Sequence, residues 1–172
     1  MTTLALDPSL RCTGWAIFDT TREPALLIAA GTIKTEKQAR LKTVSDILRT
    51  QTITRELIGI IQHHDVREVV TEWRGGSQSA TAAAALAIAN TIVLVICEIM
   101  EIDINAMPAS DAKKAVTGNR FAGKEEVIEA VTKAYDFKSY AHTKPEREAI
   151  ADAIAIFIAS DEKSCQNLLQ RS

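Results

Sequence analysis

Residues 4–19 have the sequence LALDPSLRCTGWAIFD and give the first strong indication of the fold. In this stretch an apolar run ends at Asp7, a short turn follows, and a second apolar run begins at Cys12. Two such runs with a turn between them are typical of neighbouring β-strands. Gly31, further on in a third apolar run, marks a candidate β-bulge. We predict strands at residues 3–7, 12–20, 25–34, 68–73 and 102–107.

The segments between and after the later strands have helical patterns. From about residue 38 to residue 63, apolar residues recur every three or four positions, which predicts a long amphipathic helix. An alanine-rich helix follows a glycine turn at 75–76, and shorter helices are expected at 110–116 and 124–135. The last helix opens with a capping box at 143–146. This order predicts an α/β protein with a five-stranded mixed sheet and helices on both faces.

The stretch from Gly75 to Cys97 carries no charged residue and is long enough to cross a bilayer. Ala, Ser and Thr dominate it, however, and Gln78 and Asn90 lie inside it, so its drive to insert is weak. A helix that is apolar all round is typical of one covered on most sides. We therefore predict a buried core helix and no membrane association.

The composition is that of an ordinary soluble domain. With 172 residues, 47% apolar and 24% charged, the chain is expected to form one domain over residues 1–172. The net charge of −2 does not indicate nucleic-acid binding, so a DNA-binding surface must be a local basic patch. Three widely spaced cysteines without a CxxC pair favour a reducing compartment and argue against zinc. No signal-peptide pattern is present at the N-terminus, and we expect a cytoplasmic protein.

Three carboxylates stand where an apolar element has no structural need for them. Asp7 ends the first strand, Glu72 ends an apolar run in the fourth, and Asp152 is the single charge in AIADAIAIFIA. An ionised carboxylate on such an element costs several kcal/mol unless it is compensated, and no Lys or Arg adjoins Asp7 or Asp152. Shared divalent cations would compensate these acids, and hard oxygen ligands suit magnesium or manganese. The sequence thus indicates an acidic site for two metal ions.

Glu148 is the candidate fourth ligand, because it lies one helical turn before Asp152 on the same helix face. Each acid has a plainer interpretation. Asp7 alone is a common turn-starting Asp-Pro, and Glu148 is also a first-turn acid favoured by the helix dipole. The similar placement of three acids at the ends of apolar runs favours metal binding.

A basic cluster is the second candidate binding feature. It lies beside Gly118 and Gly123, where the backbone can approach a phosphate closely. The alternative is a solvated helix surface. Trp73 and Arg74 directly follow an acidic site residue and could stack on or pair with DNA, although Trp73 could equally belong to the core. His142 is a weaker catalytic candidate. The basic cluster consists of Lys113, Lys114, Arg120 and Lys124.

Four segments resemble motifs of the RuvC-type Holliday junction resolvases, a family of the ribonuclease H-like superfamily. LALDPSLRCTGWAIFD resembles the first-strand motif, VVTEW the fourth-strand Glu motif, and AIADAIAI the C-terminal acidic helix. PASDAKKAVTGNRFAGKEEV is similar to the basic segment, whose two lysines correspond to Lys113 and Lys124. The four segments occur in the family's order and at its spacings over nearly the whole chain.

The resemblance implies a magnesium-dependent endonuclease that resolves four-way DNA junctions by paired nicks, as a two-fold homodimer. Asp7 would bridge two magnesium ions, with Glu72, Glu148 and Asp152 as the remaining ligands. The family commonly has its last two acidic or His residues three positions apart, whereas Ala149 stands three positions before Asp152 here. Glu148, four positions before, is therefore assigned to that role.

Three alternative functions fit part of the pattern. A YqgF-like ribonuclease would share the fold and act on RNA, but the basic segment and the acidic last helix favour the resolvase. A non-catalytic branched-DNA-binding protein is less consistent with intact acids. An ATP-binding sugar-kinase or actin-like protein also opens with a strand, an Asp and a Gly turn, but needs Gly-rich nucleotide loops that are missing here.

Overall fold

The computed structural model of the chain describes residues 1–36, 39–73 and 79–170, with side chains described up to Asp161. The predicted turn at residues 75–76 lies outside these ranges. The elements are β1 (Thr2–Asp7), β2 (Cys12–Asp19), β3 (Leu26–Lys34), α1 (Lys42–His63), β4 (Glu68–Glu72), α2 (Ala80–Ile99), β5 (Asp103–Met107), α3 (Ala109–Thr117), α4 (Lys124–Ala134), a short 3-10 helix (Lys138–Tyr140) and α5 (Lys144–Gln170).

The predicted strands and helices are confirmed, and most of their ends lie within one residue of the prediction. The exception is the start of α1, which we expected near residue 38. The helix begins at Lys42, and the described residues before it are not helical. The side chain of Leu41, the residue before the first turn, makes no capping hydrogen bond to the helix. Without a capping residue, the apolar spacing alone does not fix where a helix begins.

The five strands form one mixed sheet in the order β3-β2-β1-β4-β5. Strands β3, β2 and β1 pair antiparallel, and short turns join them into a meander. Strands β4 and β5 run parallel to β1, and each follows a helix that crosses from one end of the sheet to the other. Strand β1 is therefore central and has an antiparallel neighbour on one side and a parallel neighbour on the other.

Both faces of the sheet are covered, which confirms the predicted layers. On one face Leu4 and Leu6 of β1 pack with Ile53 and Leu57 of α1 and with α2. On the other face Ala5, the residue between them, packs with α3, α4 and α5. Successive strand residues point to opposite faces, so a central strand covered on both sides has to be apolar throughout. A strand with one face in solvent would instead alternate apolar with polar residues.

The α5 side is the more tightly packed of the two. The rings of Phe18 and Phe157 stack with centroids 3.6 Å apart, and Tyr135 meets Phe18 edge-on. Ile150 and Ile154 are fully buried beneath α3 and α4. Each such side chain contributes about 1.5–3 kcal/mol through burial of apolar surface. These contacts fix α5 firmly against the sheet.

The expectation of a bulge at Gly31 is wrong. Gly31 pairs in register with Trp15, and a Cβ at this position would lie 2.7 Å from the Trp15 ring. The glycine therefore makes room for an indole on the neighbouring strand. The bulge lies instead at Ile28, where the register shifts between Ile17 and Phe18.

The prediction that α2 is covered on most sides is also wrong. Six of its residues are buried against the sheet and α1, at positions 89, 90, 92, 93, 96 and 97. The opposite side exposes Leu94, Val95 and Ile99, the last by 75%. Among the described residues, α2 is the one helix long and apolar enough to cross a membrane, a test that core helices also pass. The lack of charge on α2 thus reflects a half-buried helix with an apolar outer face.

Candidate functional site

Two of the predicted site acids lie side by side at one edge of the sheet. Asp7 is the last residue of β1, and Glu72 is the last residue of β4. These strands are parallel neighbours that pair Leu6 with Thr71, so their carboxyl ends bring the two acids to the same edge. Glu72 is only 5% exposed, whereas Asp7 is half-buried. A carboxylate as buried as Glu72 has to be compensated by charge or by hydrogen bonds.

Gly14 allows the third acid, Asp152, to approach this edge. Gly14 lies opposite Asp7 in the β1–β2 pairing. A Cβ at Gly14 would lie 2.0 Å from the backbone oxygen of Ala149 in α5, so any other residue would push the helix away. Asp152 follows Ala149 by almost one helical turn. The close contact between β2 and α5 therefore brings the acidic helix next to the end of β1.

Asp7, Glu72 and Asp152 line one open cleft of about 1180 Å3. The structure thus brings together three acids that are 65 or more positions apart in sequence. Within residues 1–36, 39–73 and 79–161, no three His, Cys, Asp or Glu side chains are already close enough to hold a metal ion. The acids share a cleft but are not gathered around one point. Their carboxylate oxygens are nevertheless the ligand type that suits a hard divalent cation.

The fourth predicted acid, Glu148, lies at the border of this cleft. Its carboxylate accepts a hydrogen bond from the ammonium of Lys124, which itself lines the cleft. Lys144, one turn earlier in α5, lies 4.0 Å from the other oxygen of Glu148 and also pairs with Glu125. The Lys124 side chain is 62% exposed, so this ion pair adds little to stability.

Lys124 feels the charge of several site acids at once. The hydrogen bond to Glu148 is the main reason why the pKa of Lys124 is raised above its ordinary value. The charges of Asp152 and Asp7 raise this pKa further, while partial burial opposes the shift. One ammonium group therefore lies within electrostatic reach of acids from β1 and from α5. This places a positive charge beside the candidate metal site.

The basic cluster belongs to α3, to the loop 118–123 and to the start of α4. Lys114 and Arg120 are exposed. Lys113 is half-buried, and its ammonium donates a 2.9 Å hydrogen bond to the backbone oxygen of Ala122. In this structure Lys113 therefore holds the loop, and its expected contact with DNA stays a prediction.

Trp73 follows Glu72 directly and is 44% exposed, so the alternative that it belongs to the core is wrong. Its backbone N–H donates to Met107 at the end of β5, which fixes the position of the residue. The exposed indole is available for stacking beside the site acids. Arg74, the next predicted contact, lies outside the described residues.

Sequence analysis missed the basic residues on the other side of the cleft. Arg11 lies in the β1–β2 turn, and Lys42 and Arg49 lie on α1; all three line the cleft opposite the α4 side. Lys42 also pairs with Asp46 one turn further along α1. A spacing of seven residues places Lys42 and Arg49 on the same helix face, which was a usable signal. Their distance from the acids in sequence concealed their relation to the site.

The three histidines lie outside the cleft, as expected for surface and helix-end residues. Among the described residues that line the cleft there is no histidine. His63 ends α1 and His64 follows it, and burial lowers the pKa of His64. The backbone N–H of His142 donates to the capping carboxylate of Glu146. The structure thus gives His142 a place in a helix cap and none in the cleft.

A mixed sheet in the order 3-2-1-4-5, with carboxylates at the ends of β1 and β4 and on the last helix, defines the class of ribonuclease H-like nucleases. Within this class, the family model described as crossover junction endodeoxyribonuclease RuvC matches residues 3–160. The chain therefore belongs to the RuvC family of crossover junction endodeoxyribonucleases. It is a nuclease, a hydrolase that cuts DNA strands at Holliday junctions.

Individual relatives are similar over nearly the whole chain. The crossover junction endodeoxyribonuclease RuvC of Ehrlichia ruminantium (strain Gardel) is 29% identical over 161 residues, covering 92% of this chain and 94% of that protein. RuvC of T. thermophilus in complex with a Holliday junction substrate superposes with a TM-score of 0.79 at 21% identity, covering 97% of this chain and 96% of that chain. The fowlpox virus resolvase in complex with substrate Holliday junction DNA has a TM-score of 0.58 at 14% identity, with 95% and 98% covered. These structures confirm the fold.

Proposed function

We propose that this protein resolves four-way DNA junctions by paired, symmetric nicks in the cytoplasm, with residues 1–172 acting as a single nuclease domain. The observation that carries the proposal is the cleft lined by Asp7, Glu72 and Asp152, with the Lys124–Glu148 pair at its border. In a member of the RuvC family, a cleft of this composition combines carboxylates for metal binding with cations for phosphate binding.

Two magnesium ions per site, or manganese in their place, would be held by Asp7, Glu72, Glu148 and Asp152. Such ions activate a water, neutralise the scissile phosphate and stabilise the leaving oxygen. Asp7 is our candidate for the bridging ligand, because it ends the central strand between Glu72 on β4 and Gly14 on β2. The burial of Glu72 supports a fixed position for its carboxylate.

Lys124 is a candidate phosphate contact beside the proposed metal ligands. Its ammonium is hydrogen-bonded to Glu148 and lines the cleft, where it would neutralise a phosphate of bound DNA. A point charge such as a lysine ammonium neutralises a phosphate oxygen without demanding a fixed direction.

DNA binding would use both sides of the cleft. Lysine and arginine contacts to phosphates position the nucleic acid without reading its sequence. One side offers the basic cluster of α3, the loop and α4, and Trp73 with Arg74 after β4. The other side offers cations that sequence analysis missed. We propose phosphate contacts for Lys113, Lys114, Arg120, Lys124, Arg11, Lys42 and Arg49.

The exposed face of α2 supports a homodimer. Leu94, Val95 and Ile99 lie on its outer side with Glu98 as the one charged neighbour among residues 80–99. Contiguous exposed apolar surface on a soluble protein commonly marks an interface. Two symmetric nicks require two sites related by a two-fold axis, and a helix face that meets its own copy generates this symmetry.

A nicking assay with the variant Asp7→Asn tests the proposed function. Wild type and variant are incubated with four-way, three-way and linear DNA of matched sequence, and with matched RNA, in magnesium and in chelator. We expect wild type to nick the four-way junction in magnesium alone. Asp7→Asn should lose at least about a thousandfold in rate, since the metals supply several kcal/mol and each 1.36 kcal/mol is a factor of ten.

Asp46→Asn is the matched control, because Asp46 lines the same cleft but its carboxylate pairs with Lys42 on α1. This variant should cut within about threefold of wild type, as is usual for surface substitutions. Near wild-type cutting by Asp7→Asn would refute the metal site. Preferential cutting of RNA would instead favour the YqgF-like alternative.

A further inference from the structure

The loop between α3 and α4 presents an exposed aromatic side chain that the proposed metal site does not use. Phe121 is 85% exposed, which is more than any other large apolar side chain in the described part of the chain. Single apolar residues on a surface are common and by themselves indicate nothing. Phe121 differs through the structure of its loop and through its neighbours.

The loop that carries Phe121 is held by its own hydrogen bonds. The backbone N–H of Phe121 donates to the side-chain oxygen of Asn119 at 3.0 Å, and the N–H of Ala122 donates to the backbone oxygen of Asn119 at 3.2 Å. The Asn119 N–H in turn donates to the hydroxyl of Thr117 at 3.1 Å. These bonds form a tight turn whose tip is Phe121.

Both ends of the turn are anchored to the body of the protein. On one side Gly118 ends α3 with φ of 74°, a left-handed conformation that glycine adopts without strain. On the other side Ala122 is buried, and its carbonyl accepts the hydrogen bond from Lys113. The next residue, Gly123, is bonded through its N–H to Glu126 at 2.7 Å. The exposed Phe121 is therefore carried by an ordered backbone. Binding through its ring would cost little further conformational entropy of this backbone.

The surroundings of Phe121 indicate which partner it fits. Its exposed neighbours are Asn119, Arg120, Gly123 and Lys124, with no second exposed large apolar residue in the loop. A protein-docking patch needs contiguous apolar surface, which is missing here. An aromatic ring among cations is instead the combination that binds unpaired nucleotides, since the ring stacks on a base and the cations neutralise phosphates.

The position of Phe121 connects it to the cleft. Lys124 is three residues away, so the two Cα atoms are at most about 11 Å apart, roughly the length of three extended residues. Lys124 lines the cleft together with Asp7 and Asp152. A strand whose phosphate lies at Lys124 would place a base one to two nucleotides away within reach of Phe121.

We propose that Phe121 stacks on a nucleobase that is unpaired or unstacked at the DNA branch point. This inference rests on the proposed function, because a DNA branch point presents such a base next to a duplex that can be cut. Stacking at this position would favour branched over linear DNA without reading a particular base, since every base has a stacking face.

Binding and crosslinking in chelator, where no strand is cut, test this inference on the full chain. We expect Phe121→Ala to bind a four-way junction about 5- to 150-fold more weakly than wild type, the range found for loss of one base–aromatic stack. Affinity for linear duplex should change less than about twofold. Phe121→Trp should bind like wild type, whereas Phe121→Leu, apolar but without a stacking ring, should behave like Phe121→Ala.

A junction that carries 5-iodouracil at the branch gives a direct readout. Irradiation should crosslink this base to Phe121, identified by mass spectrometry of the peptide, and the linear control should give no such product. All variants should melt within about 2 °C of wild type, because an exposed side chain adds little to folding. Leu26→Ala is the matched control, since Leu26 is 47% exposed but lies on β3 and does not line the cleft.

Three results would overturn the inference. If Phe121→Leu binds junctions like wild type, or if Phe121→Ala weakens junction and linear binding equally, stacking on an unpaired base is wrong. If Phe121→Ala changes no DNA affinity, the exposed ring has another role, such as docking a protein. Failure of the proposed function would look different, because wild type itself would then not prefer the junction to linear DNA.

Discussion

Two helical segments of this protein carry almost no charge and yet differ in how far they are buried. In α5, residues 149–160 contain one charge, Asp152, and ten of these twelve residues are buried. In α2, residues 80–99 also contain one charge, Glu98, but only six residues are buried. Both segments have the same kind of apolar sequence. A segment without charge favours apolar neighbours, but its sequence does not tell how many of these neighbours the same chain supplies.

The difference comes from the number of partners on each face of the sheet. Helix α5 lies between the sheet and the pair α3 and α4, so it is covered from two sides. Helix α2 has the sheet and α1 on one side and nothing described on the other. The outer side of α2 is the face that the proposed homodimer would cover. Four predictions test this contrast.

The largest effect is expected from truncating one isoleucine in each helix. Ile154 of α5 is fully buried, and Ile99 of α2 is 75% exposed. Ile154→Ala should lower the free energy of unfolding by about 2–5 kcal/mol, because a cavity remains in the core. Ile99→Ala should cost less than about 0.5 kcal/mol, as surface substitutions usually do. Urea unfolding at low protein concentration measures both, and equal costs would contradict the contrast.

The second prediction concerns association through α2. Val95→Glu places a charge in the middle of its exposed apolar face and should weaken dimerisation at least about thirtyfold, since an unpaired charge in an interface costs about 2–5 kcal/mol. Sedimentation across a concentration series measures the dissociation constant. Gln51→Glu, which adds the same charge to an exposed position of α1, is the control. A dimer that survives Val95→Glu unchanged would mean that α2 is not the interface.

Magnesium should stabilise the protein through the acid on α5. At about ten times its dissociation constant, a bound ligand adds about 1.4 kcal/mol to the free energy of unfolding. For a chain of this size, this corresponds to a rise in melting temperature of about 3–6 °C. Wild type should show this rise between chelator and magnesium, and Asp152→Asn should show much less of it. An equal rise in both proteins would remove Asp152 from the metal site.

The smallest effect is expected at the helix starts. Helix α2 is capped by Ser79, the residue before it, whose hydroxyl accepts a hydrogen bond from the Ala82 N–H at 3.2 Å. Helix α5 is capped by Glu146 in its first turn, whose carboxylate accepts from the N–H groups of His142 and Thr143 and pairs with Lys34. The hydrogen bond from Lys34, followed by those two backbone bonds, lowers the pKa of Glu146 from 4.5 to about 2.

These two caps should respond differently to pH. A carboxylate whose pKa is lower in the folded state stabilises the protein above its unfolded pKa, and this contribution is lost as the pH falls through the folded value. The cost of Glu146→Gln should therefore be full at pH 7 and shrink between about pH 4.5 and pH 2. Ser79→Ala should cost about 1 kcal/mol at every pH. Chemical unfolding of both variants at pH 7 and pH 3 makes the comparison, and a pH-independent cost of Glu146→Gln would contradict it.

Sequence patterns predicted most of the fold because its elements are locally determined. Apolar runs bounded by turns located the strands, three- and four-residue apolar spacing located the long helix, and the capping box marked the start of α5. The ends of β1 and β4 and the acid on α5 could be grouped into one site, since parallel strand ends meet at one sheet edge. In these places, each residue's role follows from its own segment.

The features of the fold and of the site that we did not predict depend on contacts between distant segments. We predicted a bulge at Gly31, but a glycine stands there because the indole of Trp15 on the neighbouring strand leaves no room for a side chain. The hydrogen bond from the Lys113 ammonium to the Ala122 carbonyl, nine residues away, was not predicted, and the DNA contact of Lys113 stays a prediction. Arg11 and Lys42 join the cleft only after β1 and α1 have been placed side by side. Periodicity within a segment carries no information about such neighbours.

The order of the site acids along the chain has a consequence for synthesis. Asp7 is made early, and Asp152, about 145 residues later, follows after about 7–30 s at ordinary rates of elongation. Until α5 has emerged, the sheet face beneath it is uncovered and the cleft lacks one wall and at least one acid. If Asp152 holds metal as proposed, we expect a growing or prematurely ended chain not to cut DNA. On this proposal, the nuclease becomes competent only when its last helix has folded onto its first strand.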